Sequence, residues 1–287
     1  MTLSNLILGE LPLVLFTVMT QAVVGFSFVY ALSTRAKTST LASRKRFGLT
    51  FLFLLAIALL PSLFHLGDPT HAPYLLMRLG AFESGGAWHI AWLPNEILGV
   101  GVLFALGIWL FYTGTLLALY LLPLAGIVTL FFMSGIYGSM QNTVLTWNFS
   151  LTLWLFGSSA LFLGGLLYRI LHDLTHEDRL GAFLFSLIGF ALLCLSLAFY
   201  TLHVGQSQIE GIGSAYTLLG EHYALFLGTG VILSVLALLL WFLKDFSTLP
   251  FGSPRSIGAI ALLFGLLGVF STRVLFYGLI HTHLWLG

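Results

Sequence analysis

"EILGVGVLFALGIWLFYTGTLLALYLLPLAGIVTLFFMSGIYG" runs from Glu96 to Gly138, and beyond its first residue it carries no charge. A membrane-crossing helix needs roughly 20 predominantly apolar residues. The stretch therefore divides into two spans, 95–113 and 116–139, with only a tight turn at 113–116 between them. Barrel strands would alternate apolar and polar residues; these runs are continuous, so they read as helices.

Working outward, the same reading predicts six further spans, at 11–33, 47–66, 148–168, 181–203, 223–243 and 257–280. Composition agrees. Of the 287 residues, 59% are hydrophobic and only 7% are charged, whereas a soluble domain carries about a quarter charged residues. Lipid is the solvent for most of this surface. The expected fold is an all-α membrane protein, a bundle of eight transmembrane helices forming one domain over 1–287. Pro61 falls inside the second span and predicts a kink there. The segment Met1–Glu10 has no cationic start, so the first span is expected to be retained rather than cleaved as a signal.

The charges sort by side. With the N-terminus outside, the inner segments are 34–46, 113–116, 169–180 and 244–256. They hold Arg35, Lys37, Arg44, Lys45, Arg46, Arg169, Arg179, Lys244 and Arg255, nine of the 11 Lys and Arg. Such bias is the positive-inside pattern, and it places both termini on the outer side. Most histidines fall at the outer side, as do Glu10, Asp68, Glu83, Glu96, Glu210 and Glu221. The chemistry is therefore expected at the outer face, near the long connections 67–94 and 204–222.

Several chemistries are excluded from the protein itself. A single cysteine, Cys194, allows no internal disulfide, no multi-cysteine zinc site and no cysteine-ligated iron–sulfur cluster. No glycine-rich nucleotide motif occurs, and a net charge of +1 gives no reason to expect nucleic acid. His172 and His176 are spaced i, i+4, but without an HExxH pattern they do not point to zinc.

Three positions stand out. His65 ends the second span, where "HLGDP" breaks the helix: Gly67 can take a left-handed conformation and Pro69 forbids continuation. It reads either as a helix-end histidine at the headgroups or as a proton acceptor. Glu96 lies at the start of the third span, beside the helix-start residues Pro94 and Asn95. It reads as a first-turn carboxylate favoured by the macrodipole, or as a partner of His65 in accepting protons from an amphipathic donor. Arg273 lies among apolar residues in the eighth span. A guanidinium at that depth is costly unless paired or lining a wet cavity, and Glu96 or Glu10 is its expected partner. Arg78 and Tyr277 can add hydrogen bonds to the same region.

With these residues in place, the sequence resembles the membrane anchor subunit of bacterial dimethyl sulfoxide reductase and its relatives. The resemblance is carried by "ELPLVLFTVMTQAVVG" (10–25), "FHLGDP" (64–69), "MRLG" (77–80), "PNE" (94–96), "YGSMQNTVLTW" (137–147) and "RVLFYGL" (273–279). It implies an anchor in the bacterial inner membrane for a molybdopterin catalytic subunit and a four-cluster, ferredoxin-like iron–sulfur subunit. Such an anchor binds menaquinol without haem and feeds electrons to the iron–sulfur subunit for anaerobic respiration on a sulfoxide or related acceptor. His65 and Glu96 match the family's quinol-site histidine and glutamate, with Gly67, Arg78, Tyr137, Arg273 and Tyr277 expected to bind the quinol. Two positions depart from the family: His71 and Gly135 stand where arginines are expected.

Two other readings compete. A transporter can also carry a buried arginine and outer carboxylates, but it should show two symmetry-related, interrupted halves, and no matching halves are evident. A cytochrome b-type anchor would need facing histidine pairs; here only an outer pair such as His65 and His203 is available.

Overall fold

The computed structural model describes residues 3–65, 77, 79–84, 87–172, 175–209, 213–214, 221–246 and 253–278. Its helices are α1 (Leu3–Leu32), the short α2 (Thr34–Thr38), α3 (Leu41–His65), α4 (Trp92–Thr113), α5 (Leu116–Ser139), α6 (Phe149–Leu171), α7 (His176–Gln206), α8 (Glu221–Phe246) and α9 (Pro254–Gly278). Among the described residues, eight of these are long and apolar enough to cross a membrane, every one except α2. The eight-span reading therefore holds, in the predicted order.

The helices start earlier than hydropathy marks, for local reasons. Residues preceding an apolar run can still close helical hydrogen bonds while their polar tips reach the interface. So α3 takes in Ser43–Arg46. Helix α7 begins at His176 because Thr175 caps it, accepting from Asp178 N at 3.2 Å. Glu177 and Asp178 then face the positive end of the helix dipole. Helix α4 starts at Trp92, with Pro94 in its first turn.

The turn between α4 and α5 is as short as the sequence indicates. Gly114 takes the left-handed conformation, φ 64°, and returns its N–H to Leu110 O. Arg44 then donates from Nε to Gly114 O at 2.6 Å, joining the first inner segment to this turn. Thr34 Oγ1 donates to Asp178 Oδ1 at 2.6 Å, joining it to the third. Arg169 forms a two-pronged bridge to Asp245, 2.6 Å at each contact, joining the third to the fourth. All four inner segments, the basic ones among them, thus meet at one face of the bundle.

Helix α1 runs through the middle and packs against α3, α5, α6 and α9; α6 lies along α7, and α8 along α9. The crossing of α1 and α6 requires glycine: a Cβ on Gly25 would run into the Ala160 carbonyl, and one on Gly164 would meet the Gly25 backbone. Without a hydrophobic drive between helices in lipid, such close approach is what holds them.

The face opposite the basic one carries two small hairpins not apparent from the sequence. Strands β1 (Ala81–Ser84) and β2 (Ala87–Ile90) pair antiparallel, Ala81 opposite Ile90 and Ser84 opposite Ala87. Strands β3 (Gln208–Ile209) and β4 (Gly213–Ser214) pair likewise. Strands of two to four residues are too short to leave a periodic trace.

Candidate functional site

The first hairpin is tied to the start of α4 by one side chain. Asn95 Oδ1 accepts from Gly80 N, and its Nδ2 donates to Gly80 O, both at 2.8 Å. The amide thereby imitates a strand partner for Gly80, which sits at φ 87° where glycine is favoured. With Asn95 turned to the hairpin, the next residue, Glu96, faces the interior. It is 5% exposed, and among the described residues its carboxyl group has no hydrogen-bond or ionic partner. Glu96 is therefore not acting as a helix cap, the plainer of its two sequence readings.

Two phenols lie close enough to feel its charge, Tyr137 of α5 and Tyr277 of α9. Their hydroxyls share a hydrogen bond, and Tyr277 also reaches Thr17 of α1 at 3.5 Å. Aromatic packing fixes both rings. Trp147 stacks on Phe276 at 5.4 Å and donates its indole N–H to Phe276 O at 3.0 Å. Tyr137 meets Trp147, Phe156, Phe276 and Tyr277 edge-on.

Arg273 lies one turn further into α9 and is fully buried. Its Nη2 donates to Gln21 Oε1 (2.9 Å), Leu155 O (3.0 Å) and Ser159 Oγ (2.7 Å). Its Cζ stands 4.4 Å over the Phe156 ring, a favourable position for a desolvated cation. The expected carboxylate partner is not there: the acceptors are neutral, and among the described residues neither Glu96 nor Glu10 forms a salt bridge with it. Nε and Nη1 have no hydrogen-bond partner among the described residues, nor does Gln21 Nε2. Buried donors of this kind are normally met by water or a ligand.

The structure thus sets the Tyr137–Tyr277 pair within electrostatic reach of both Glu96 and Arg273, groups from three helices. His65 ends α3, but its side chain lies outside the described residues, as do Gly67, His71 and Arg78. At Gly135 a side chain would collide with the Trp92 ring, so an arginine has no room there. His203 Nε2 donates to Leu145 O at 3.0 Å, and His172 packs among the rings of Phe26, Tyr30 and Tyr168. No cluster of three metal-binding side chains occurs among the described residues.

Sequence reading missed Thr17, Gln21, Asn95, Ser159 and Trp147 as parts of this region. Gln21 carried a signal, a long amide within an apolar span. Ser159 carried none, being one of many small residues in α6.

The arrangement matches known sequences along nearly its full length. The family model described as DMSO reductase anchor subunit (DmsC) matches residues 5–279. The C subunit of the anaerobic dimethyl sulfoxide reductase of Haemophilus influenzae is 29% identical over 304 aligned residues, which span 96% of each protein. The YnfH subunit of an anaerobic dimethyl sulfoxide reductase of Escherichia coli K12 is 33% identical over 171 residues, spanning 55% of this protein and 56% of that one. No solved structure matches significantly. The family match takes in all eight apolar helices, from α1 through the arginine and tyrosine of α9, and the chain belongs to the DMSO reductase anchor subunit (DmsC) family.

Proposed function

We propose that this protein oxidises a membrane quinol, menaquinol by the family resemblance, and passes the electrons to an iron–sulfur partner. That partner would in turn serve a molybdopterin subunit reducing a sulfoxide or related acceptor. The carrying observation is Glu96, a buried carboxyl group with no partner among the described residues, within electrostatic reach of a phenol pair that is itself in reach of an arginine with unmet donors.

Oxidation releases two protons and two electrons from the quinol. Glu96 is suited to take one proton, since a general base must have a free acceptor within reach. His65 is assigned the other on the family resemblance. Arg273 Nε and Nη1 offer donors to a ring oxygen, and Tyr137 with Tyr277 can orient the second oxygen. The partner's iron–sulfur group would supply the electron acceptor, and the oxidised quinone would return to the lipid. Positive-inside charge sorting supports both termini, and this site, facing the outer compartment of a bacterial inner membrane.

The test is the purified complex in vesicles, supplied in turn with a quinol and with an artificial dye donor. Quinol-dependent reduction of the acceptor is the expected result. A complex active with dye but inert to every quinol would overturn the reading. Cysteine labelling that located the 67–94 connection in the cytosol would overturn the orientation.

A further inference from the structure

A groove of about 350 Å³ opens on the side of the bundle where α1, α5, α6 and α7 meet. Gly25, Leu130, Trp154, Gly157, Ser158 and Leu161 are among the residues that line it. Its lining residues are apolar except Ser158 and the indole of Trp154, and the Ser158 hydroxyl is turned to the backbone, donating to Leu155 O at 3.1 Å. The same oxygen accepts from Arg273. One carbonyl of α6 is therefore shared between a residue that lines the groove and the arginine of the polar site.

A second link runs along α5. Leu130 and Tyr137 are seven residues apart, on one face two turns from each other, or roughly 10 Å along the axis. Leu130 lies toward the basic face. The groove thus begins beside the Arg273 node and continues toward the middle of the helices.

Its floor is held open by glycine. A Cβ on Gly157 would meet nothing within 4 Å, in contrast to Gly25, which is pressed against Ala160. Trp154, 58% exposed, forms one wall.

We propose that this groove holds the prenyl tail of the quinol whose ring lies among Glu96, Tyr137, Arg273 and Tyr277. The inference rests on the quinol reading above. An amphipathic quinol needs hydrogen-bonding groups for its ring and none for its tail, and the two environments adjoin here across Leu155 O. A phospholipid acyl tail hangs from a headgroup at the membrane surface, so it gives no reason for a groove that starts beside a buried arginine.

The experiment compares two donors on the full complex in vesicles: a naphthoquinol with several isoprene units and a tail-less naphthoquinol. Gly157→Leu puts a side chain into the groove from a position where its Cβ meets nothing within 4 Å. The expected result is a KM raised roughly tenfold for the long-tailed donor, with the tail-less donor and the dye unaffected. Equal effects on both quinols, or none on either, would overturn the tail assignment. Wild-type complex inert to both quinols would overturn the quinol reading itself, a different result. Should the variant fail to assemble, a quinone with a diazirine at its tail end tests the wild type. Crosslinks to 154–161 support the proposal, and crosslinks confined to other helices overturn it.

Discussion

Arg273 of α9 donates to Gln21 of α1 at 2.9 Å, two side chains 252 positions apart in sequence. Neither residue can be left alone in lipid without cost. Together with Leu155 O and Ser159 Oγ they join the first, fifth and eighth spans at one depth. The bond fixes Nη2 and leaves Nε and Nη1 free of partners among the described residues. It gives the arginine a fixed position with part of its donor set still available.

Arg273→Lys keeps the charge but loses the fork. Hydrogen bonds to charged groups contribute about 1.5–3 kcal/mol, so the KM for quinol should rise by roughly ten- to a hundredfold. Reduction with a dye donor should stay at the wild-type rate. A loss of both activities in step would instead indicate a purely structural arginine.

Glu96→Gln preserves shape and removes the proton acceptor. General-base losses run on the order of 10²–10⁴-fold, and the loss should fall on kcat with quinol. Dye-driven turnover of the same complex is the control. Retention of quinol turnover above a tenth of wild type would remove Glu96 from proton transfer.

Gly25→Leu should damage assembly rather than chemistry. Its side chain meets the Ala160 backbone, which cannot swing aside as a side chain can. Overpacking costs about 1–3 kcal/mol and more where backbone must move. Lower complex yield and a lower Tm in detergent are expected. Gly157→Leu, in open space, should leave both near wild type, and this contrast can be measured in one set of preparations.

Asp245→Ala removes one side of a part-buried bridge. Asp245 accepts from Arg169 at 2.6 Å and from the Trp241 indole at 2.9 Å. Breaking a fully buried pair costs about 3–5 kcal/mol, and the part-buried Arg169 sets that as the upper end here. Thermal stability should fall, while KM for quinol in the surviving complex should not change, because the bridge lies at the basic face. Removing both partners, as Arg169→Met with Asp245→Leu, should recover much of the lost stability.

Hydropathy located eight spans in order, and the charge runs placed 34–46, 113–116, 169–180 and 244–256 on one side, as the Arg44, Thr34 and Arg169 contacts bear out. Glu96 and Arg273 were visible because a charge in an apolar span is costly wherever it lies. Their partners were not: Glu96 against Arg273 was a reasonable pairing by charge and was not the one that formed.

What the sequence by itself determined is everything that depends on transfer between water and lipid, which acts on each segment separately: number of spans, their order and the common face of the basic segments. Tertiary structure alone decided that Asn95 turns to Gly80 so that Glu96 turns inward, that Gln21 rather than a carboxylate meets Arg273, and that Gly157 leaves a groove while Gly25 closes a crossing. Those outcomes depend on how helices rotate about their own axes and how closely they approach. That rotation is set by shape complementarity among residues from α1, α6 and α9, and single-segment hydropathy carries no information about it.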